Sequence, residues 1–145
     1  MTTKDNLKVS NSNTAKKIMR LFAPLVWAVA ILWLSLTSSP PQLPGILGWD
    51  KLLHAGAYAL LTLLIAQYLL SLSLSPGKIC LYAGLAAVCF GALLEVMQFL
   101  MQTGRTAEWW DLFADAVGVF LACVIFRQIV FVVCQYHEHQ GKKHG

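Results

Sequence analysis

The sequence predicts an all-α integral membrane bundle of four transmembrane helices with both termini in the cytoplasm. Three observations lead there. Of 145 residues, 57% are hydrophobic and 12% are charged, and the mean hydropathy is +0.61. A water-soluble domain carries about 25% charged residues, because its surface must be solvated by them. The apolar residues fall into four runs, each long enough to cross about 30 Å of hydrocarbon when modest tilt is allowed. The basic residues flank those runs rather than covering a surface. A soluble globular protein, a disordered tail and a charged coiled coil are all excluded by this composition.

The elements follow in chain order. Residues 1–20 are polar, with Lys4, Lys8, Lys16, Lys17 and Arg20 against Asp5, and read as a flexible or weakly helical cytoplasmic tail. The first span runs from Leu21 to about Thr37. Pro24 falls in its first turn or two, where a missing N–H costs least. The run exceeds the 7–15 residues of a signal-peptide core and no A-x-A site precedes Pro40, so it reads as an uncleaved span. Pro40, Pro41, Pro44, Gly45 and Gly48 then enforce a loop. A second apolar run extends from about Asp50 to Leu74, followed by a turn at Ser75-Pro76-Gly77-Lys78, which is short enough for an antiparallel helix pair. The third runs from about Ile79 to Met101 and the polar stretch Gln102–Glu108 follows it. The fourth begins near Trp109 and ends around Val133. The chain thus divides into a tail (1–20), a four-span domain (21–133) and a second cytoplasmic tail (134–145).

Orientation comes from the charges. The N-terminal tail, Lys78, Arg127, Lys142 and Lys143 lie on one side. The other two loops hold Lys51 and Arg105 among Asp50, Glu108 and Asp111. Positive-inside bias therefore places the first and third loops outside. Net charge is +4, but there is no basic stripe interleaved with aromatics, so nucleic acid is not an expected partner. Cys80, Cys89, Cys123 and Cys134 sit in apolar runs without a C-x-x-C pair or a neighbouring histidine, and suggest neither a disulfide framework nor a zinc site. No cofactor motif is legible. His137, His139 and His144 are irregularly spaced and read as a solvated tail.

The informative residues are the polar ones inside the spans. Asp50, His54 and Tyr58 form one helical stripe that begins at the outer end and goes about 12 Å deep, with Lys51 beside it. Tyr58 alone would fit an interface belt. An aspartate and a histidine facing lipid are expensive, so the set points to function. Glu95, Gln98 and Gln102 share a face of the third span, with Glu95 about 12 Å into the outer leaflet. An ionised carboxylate there needs a partner or a proton; the alternative is a structural interhelical hydrogen bond. Asp111 and Asp115 share a face of the fourth span. Asp111 also suits the helix dipole, and Thr106 suits an N-cap. Ala114, Gly118 and Ala122 repeat every four residues, as close helix packing in lipid requires. Trp109 and Trp110 read as interface anchors. Together with Arg105, these residues outline a one-sided polar pocket in which Lys51 or Arg105 neutralises a carboxylate.

With these residues the sequence resembles the VanZ-like family of small bacterial membrane proteins. The matching pattern is Ser35…Pro40, Asp50-Lys51-x-x-His54-x-x-x-Tyr58, Glu95-x-x-Gln98-Phe99, Arg105, and Asp111-x-x-x-Asp115-x-x-Gly118. It covers about residues 20–130 in the family's order. Asp115 departs from it, since the family more often has asparagine there. The resemblance implies a multi-helix protein of the bacterial inner membrane, in a family named for a member associated with resistance to teicoplanin, a cell-wall-directed glycopeptide.

Three functions compete. In the first, the outward pocket binds or helps modify a polar, anionic lipid headgroup or cell-wall precursor. There Lys51 and Arg105 meet the anion and Asp50, His54, Tyr58, Glu95, Gln98, Asp111 and Asp115 complete the site. In the second, His54 is a general base, with Glu95 or Asp111 as its orienting or acid group, acting on a lipid-linked substrate. No Ser or Cys elbow, phosphate loop or H-E-x-x-H supports an enzyme of a familiar type, and a single histidine is a weak metal site. In the third, the acidic cluster relays protons or transports a solute. The polar residues stop halfway across the membrane, which disfavours a complete pathway.

Overall fold

The computed structural model describes residues 3–36, 49–101 and 109–141, with side chains described for 16–36, 51–101, 109–136, 139 and 140. The described residues form α1 (Thr3–Leu36), α2 (Trp49–Leu70), α3 (Pro76–Met101) and α4 (Trp109–Gly141), and no strand. Each helix contains a segment long and apolar enough to cross a membrane: Lys16–Leu36, Lys51–Leu70, Pro76–Met101 and Trp109–Tyr136. The all-α, four-span class is the one that composition and periodicity predict. The breaker-rich loop after α1, the Gln102–Glu108 stretch and the tail beyond Gly141 lie outside the described residues.

Three boundaries differ from expectation. α1 begins at Thr3, so most of the polar N-terminal tail is helix. No glycine or proline occurs between Thr3 and Ala23 to stop it, and polar side chains alone do not break a helix. Pro24 consequently lies well inside α1, where it cannot donate to the carbonyl of Arg20; transmembrane helices tolerate such a lesion. α4 likewise continues past Val133 to Gly141, the first residue there that favours a helix end.

The α2–α3 reversal comes earlier than the Ser75–Lys78 turn expected. α2 closes with three i→i−3 bonds, from the amides of Ser71, Leu72 and Ser73 to the carbonyls of Tyr68, Leu69 and Leu70, at 3.0–3.1 Å. Ser73 then takes the left-handed conformation, φ 59°. Pro76 occupies the first position of α3, where its missing N–H has no helical partner to lose, and the Ile79 amide reaches the Ser75 carbonyl at 3.0 Å. Pro-Gly here starts a helix instead of interrupting one.

Chain direction alternates, so α2 and α4 run parallel and α3 runs antiparallel to both. α2 is central. It packs most extensively on α4, and also on α3 and α1, while α1 touches only α2 and α3 among the described residues. α3 turns a stripe of Ile79, Ala83, Gly84, Ala87, Gly91, Leu94 and Gln98 inward. The alternating three- and four-residue spacing suits left-handed packing. Tyr58, Leu61, Ala87, Leu94 and Val119 form one buried cluster with Ile31, and Ala66, Ile79, Ala83 and Phe126 form another. Phe22, Trp33, Phe99, Phe120 and Phe131 point outward, as a surface solvated by acyl chains allows.

Small residues set the helix spacing. At Gly118 a methyl group would overlap the backbone carbonyl of Ala55, so α2 and α4 touch main chain to main chain. At Gly84 a methyl would lie 3.3 Å from Val119 Cγ1, a tight contact that a side chain can yield to. Gly118→Ala is therefore expected to lose roughly 1–3 kcal/mol through overpacking against rigid backbone, and Gly84→Ala distinctly less. Thermal unfolding of the two variants in the same detergent checks that order, and equal losses would contradict it.

Candidate functional site

α1 and α3 end, and α2 and α4 begin, at the same end of the bundle. Two helix N-termini, with their positive dipole ends, thus flank one place. Lys51 and Asp111 are each the third residue of their parallel helices, and they form an ion pair, Lys51 Nζ to Asp111 Oδ1. One turn deeper, His54 Nδ1 lies 3.0 Å from Asp115 Oδ1. The other ring nitrogen, Nε2, faces Asp111 Oδ2 at 3.8 Å. The imidazole is thus held between two carboxylates, and Asp111 is shared between it and the lysine.

Enclosure increases with depth. The Lys51 and Asp111 side chains are 32% and 9% exposed, those of His54 and Asp115 16% and 2%. Below them Tyr58 is buried, its ring tilted against Phe90 at a centroid distance of 6.4 Å. Gly91 of α3 makes room for this layer. A Cβ there would lie 2.8 Å from Asp115 Oδ2 and 3.1–3.2 Å from the Tyr58 ring. Glu95, one turn beyond Gly91 on α3, has its Oε2 enclosed by protein. The stripe on α2 ends with buried Thr62, whose hydroxyl donates to the Tyr58 carbonyl at 2.8 Å.

Of the residues singled out in the sequence, Lys51, His54, Tyr58, Asp111 and Asp115 meet along the α2–α4 seam, and Glu95 adjoins them from α3. Gln98 has a different partner: its amide nitrogen donates to the Ser35 carbonyl at 2.9 Å. That bond satisfies one of the last-turn carbonyls of α1, which have no helical donor. The Asp50 side chain and Arg105 lie outside the described residues. Gly91 was not singled out beforehand, although its seven-residue spacing from Gly84 is the legible sign of a close-packed α3 stripe.

The chemistry follows from the pairing. An ionised Asp115 can only accept, so its bond to His54 requires the proton on Nδ1. The other ring nitrogen, Nε2, faces Asp111 Oδ2, so the ring stands between two acceptors. Among the described residues no group of three or more His, Cys, Asp or Glu side chains is arranged to hold a metal ion. A cavity of about 500 Å³ lies elsewhere, against α1 between Ile18 and Trp27, and its lining is apolar. Comparison of the chain with protein-family models, with curated proteins and with solved structures finds no match.

Coupling should grow with enclosure. A double-mutant cycle on His54 and Asp115 is expected to return about 1–2 kcal/mol, and one on Lys51 and Asp111 less than about 1 kcal/mol. Unfolding free energies of the single and double alanine variants provide the measurement. Gly91→Ala should weaken the His54–Asp115 coupling, because its methyl displaces Asp115 Oδ2.

Proposed function

We propose that this chain is a multi-pass protein of the bacterial cytoplasmic membrane, similar to the VanZ-like family. In this reading it binds or helps modify a lipid headgroup or lipid-linked cell-envelope component at the outward end of its bundle. The observation that carries it is the His54 imidazole held between Asp115 and Asp111, at 3.0 and 3.8 Å, with Lys51 on the same aspartate. Both charge signs stand at one end of the bundle, where a headgroup would lie. Lys51 is exposed enough to exchange Asp111 for an anionic oxygen. Lysine serves an anion as a point charge with three rotatable donors.

Glu95, Asp111 and Asp115 stand at that end among the described residues, and nine of the eleven basic residues of the sequence fall outside the first and third loops and their flanks. That asymmetry supports an outward site and cytoplasmic termini. A link to glycopeptide resistance belongs to the family resemblance and comes with it.

One observation favours a second reading, acid–base catalysis on a lipid-linked substrate. In that reading an ionised Asp115 accepts the Nδ1 proton of His54 at 3.0 Å and Nε2 serves as the base. Asp115 is a positioning residue in that reading. A relay across the membrane has less support, because below Thr62 the buried residues of the opposite half, Ala66, Ile79, Ala83 and Phe126, are apolar.

Two measurements test the proposal. Mass spectrometry of the purified protein, incubated with bacterial envelope lipids, is expected to show a retained lipid class. His54→Ala and Lys51→Met should reduce its retention about tenfold, equivalent to ~1.4 kcal/mol. Retention unchanged in folded variants would remove the binding reading, and conversion of the lipid that depends on His54 would select the catalytic one. A reporter fused after Lys143 should be active on the cytoplasmic side only.

A further inference from the structure

The α3–α4 seam carries a second pair of chemically reactive groups, remote from the polar end. Cys80 lies in the second turn of α3, and Cys123 lies about 21 Å along α4 from its start at 1.5 Å per residue. The two residues, 43 apart in sequence, face each other. Cys80 Sγ lies 3.7 Å from the Cys123 carbonyl oxygen, and Cys123 Sγ lies 3.6 Å from the Cys80 carbonyl oxygen. The side chains therefore cross the gap between the helices in opposite directions. The approach is close because the neighbouring residue on the seam is Gly84, where a Cβ would sit 3.9 Å from Cys123 Sγ. Cys89 and Cys134, by contrast, are exposed on the outside of the bundle.

We infer that Cys80 and Cys123 form a dithiol site that a small lipophilic disulfide oxidant converts to an intramolecular disulfide tying α3 to α4. Each sulfur reaches the other residue's main chain, a proximity that disulfide closure requires. Closure begins when one thiolate attacks the oxidant and releases one thiol. The second cysteine then attacks the mixed disulfide, forming the Cys80–Cys123 bond and releasing the other thiol. Two cysteine thiols lose two protons and two electrons; the electrons break the oxidant's sulfur–sulfur bond and the protons end on its two released thiols. The partner sulfur's proximity makes the second step faster than accumulation of the adduct.

The bond has a structural consequence for the polar end. Gly91 lies two turns along α3 from Gly84, on the same stripe. Tying Cys80 to Cys123 fixes the register of α3 on α4, and with it the seat of Gly91 against Asp115. The site does not depend on the headgroup reading.

The test uses the full chain in detergent or nanodiscs, with Cys89→Ser and Cys134→Ser to remove the exposed thiols. One equivalent of 4,4′-dithiodipyridine should release two pyridinethione equivalents. The protein should lose two hydrogens in mass and carry no adduct, and a reductant should restore it. Digestion should recover a peptide joining the segments around 80 and 123, and thermal unfolding should move upward on oxidation. Adding Cys80→Ser should abolish the link and leave a stable mixed disulfide on Cys123. Persistent adducts on both cysteines, or no reaction under conditions in which a free-thiol control reacts fully, would overturn the inference. Peptide mapping of the oxidised wild-type chain repeats the test without any substitution, with 80–123 the expected intramolecular link.

Discussion

The closeness of α2 and α4 is the constraint from which the rest of the structure follows. Gly118 lets main chain touch main chain at Ala55, and the two helices run parallel from the same end. Positions 51 and 111 then face each other, as do 54 and 115, within reach of short side chains. A wider seam would put the His54 ring and the Asp115 carboxylate out of hydrogen-bond range, leaving two polar groups without partners in hydrocarbon. In that solvent there is no water to replace them. Packing and polar chemistry are therefore a single problem here: the small residues make the ion pairs possible, and the ion pairs make the polar residues tolerable inside a membrane.

The second organising element is α3, which runs against that seam in the opposite direction. Its inward stripe is small where it crosses Asp115 and Tyr58, at Gly91, and larger at Leu94. At its end Gln98 reaches across to the last turn of α1. The polar end is thus contributed by all four helices, although only α2 and α4 supply the ion pairs. Asp111 is central to it electrostatically, because it meets both Lys51 and His54. The surroundings of the imidazole and of the lysine are therefore linked through a single shared carboxylate.

Much of this was legible in the sequence, and for physical reasons. Four apolar runs announce four spans, because lipid tolerates little else. The four-residue spacings Asp50/His54/Tyr58 and Asp111/Asp115 place each set on one face whatever the tertiary arrangement. The Ala114–Gly118–Ala122 repeat pointed to the face that approaches most closely. Which stripes meet was not legible, since the parallel pairing of α2 with α4 is long-range. Lys51 had several acidic candidates by sequence, and only the register selects Asp111. The partner of Gln98 was not legible either, since spacing cannot tell that its amide reaches the last turn of α1. The Ser75–Lys78 turn was misplaced because Pro-Gly reads as a breaker by composition, whereas proline is well suited to the first position of a helix. The cysteines looked inert one by one, and their pairing across the α3–α4 seam exists only in three dimensions.

α1 has a mechanical consequence. Its 34 residues make a rod about 51 Å long at 1.5 Å per residue, well beyond the roughly 30 Å of hydrocarbon. Its two described hydrogen-bonded attachments, Trp27 to Ala57 and Ser35 to Gln98, both lie in the half nearer the polar end. From Trp27 to Thr3 the helix axis runs about 36 Å at 1.5 Å per residue, so a few degrees of tilt at Trp27 correspond to a few ångströms at Thr3. Among the described residues α1 touches α2 and α3 but not α4, so its tilt is set by its fit against those two helices.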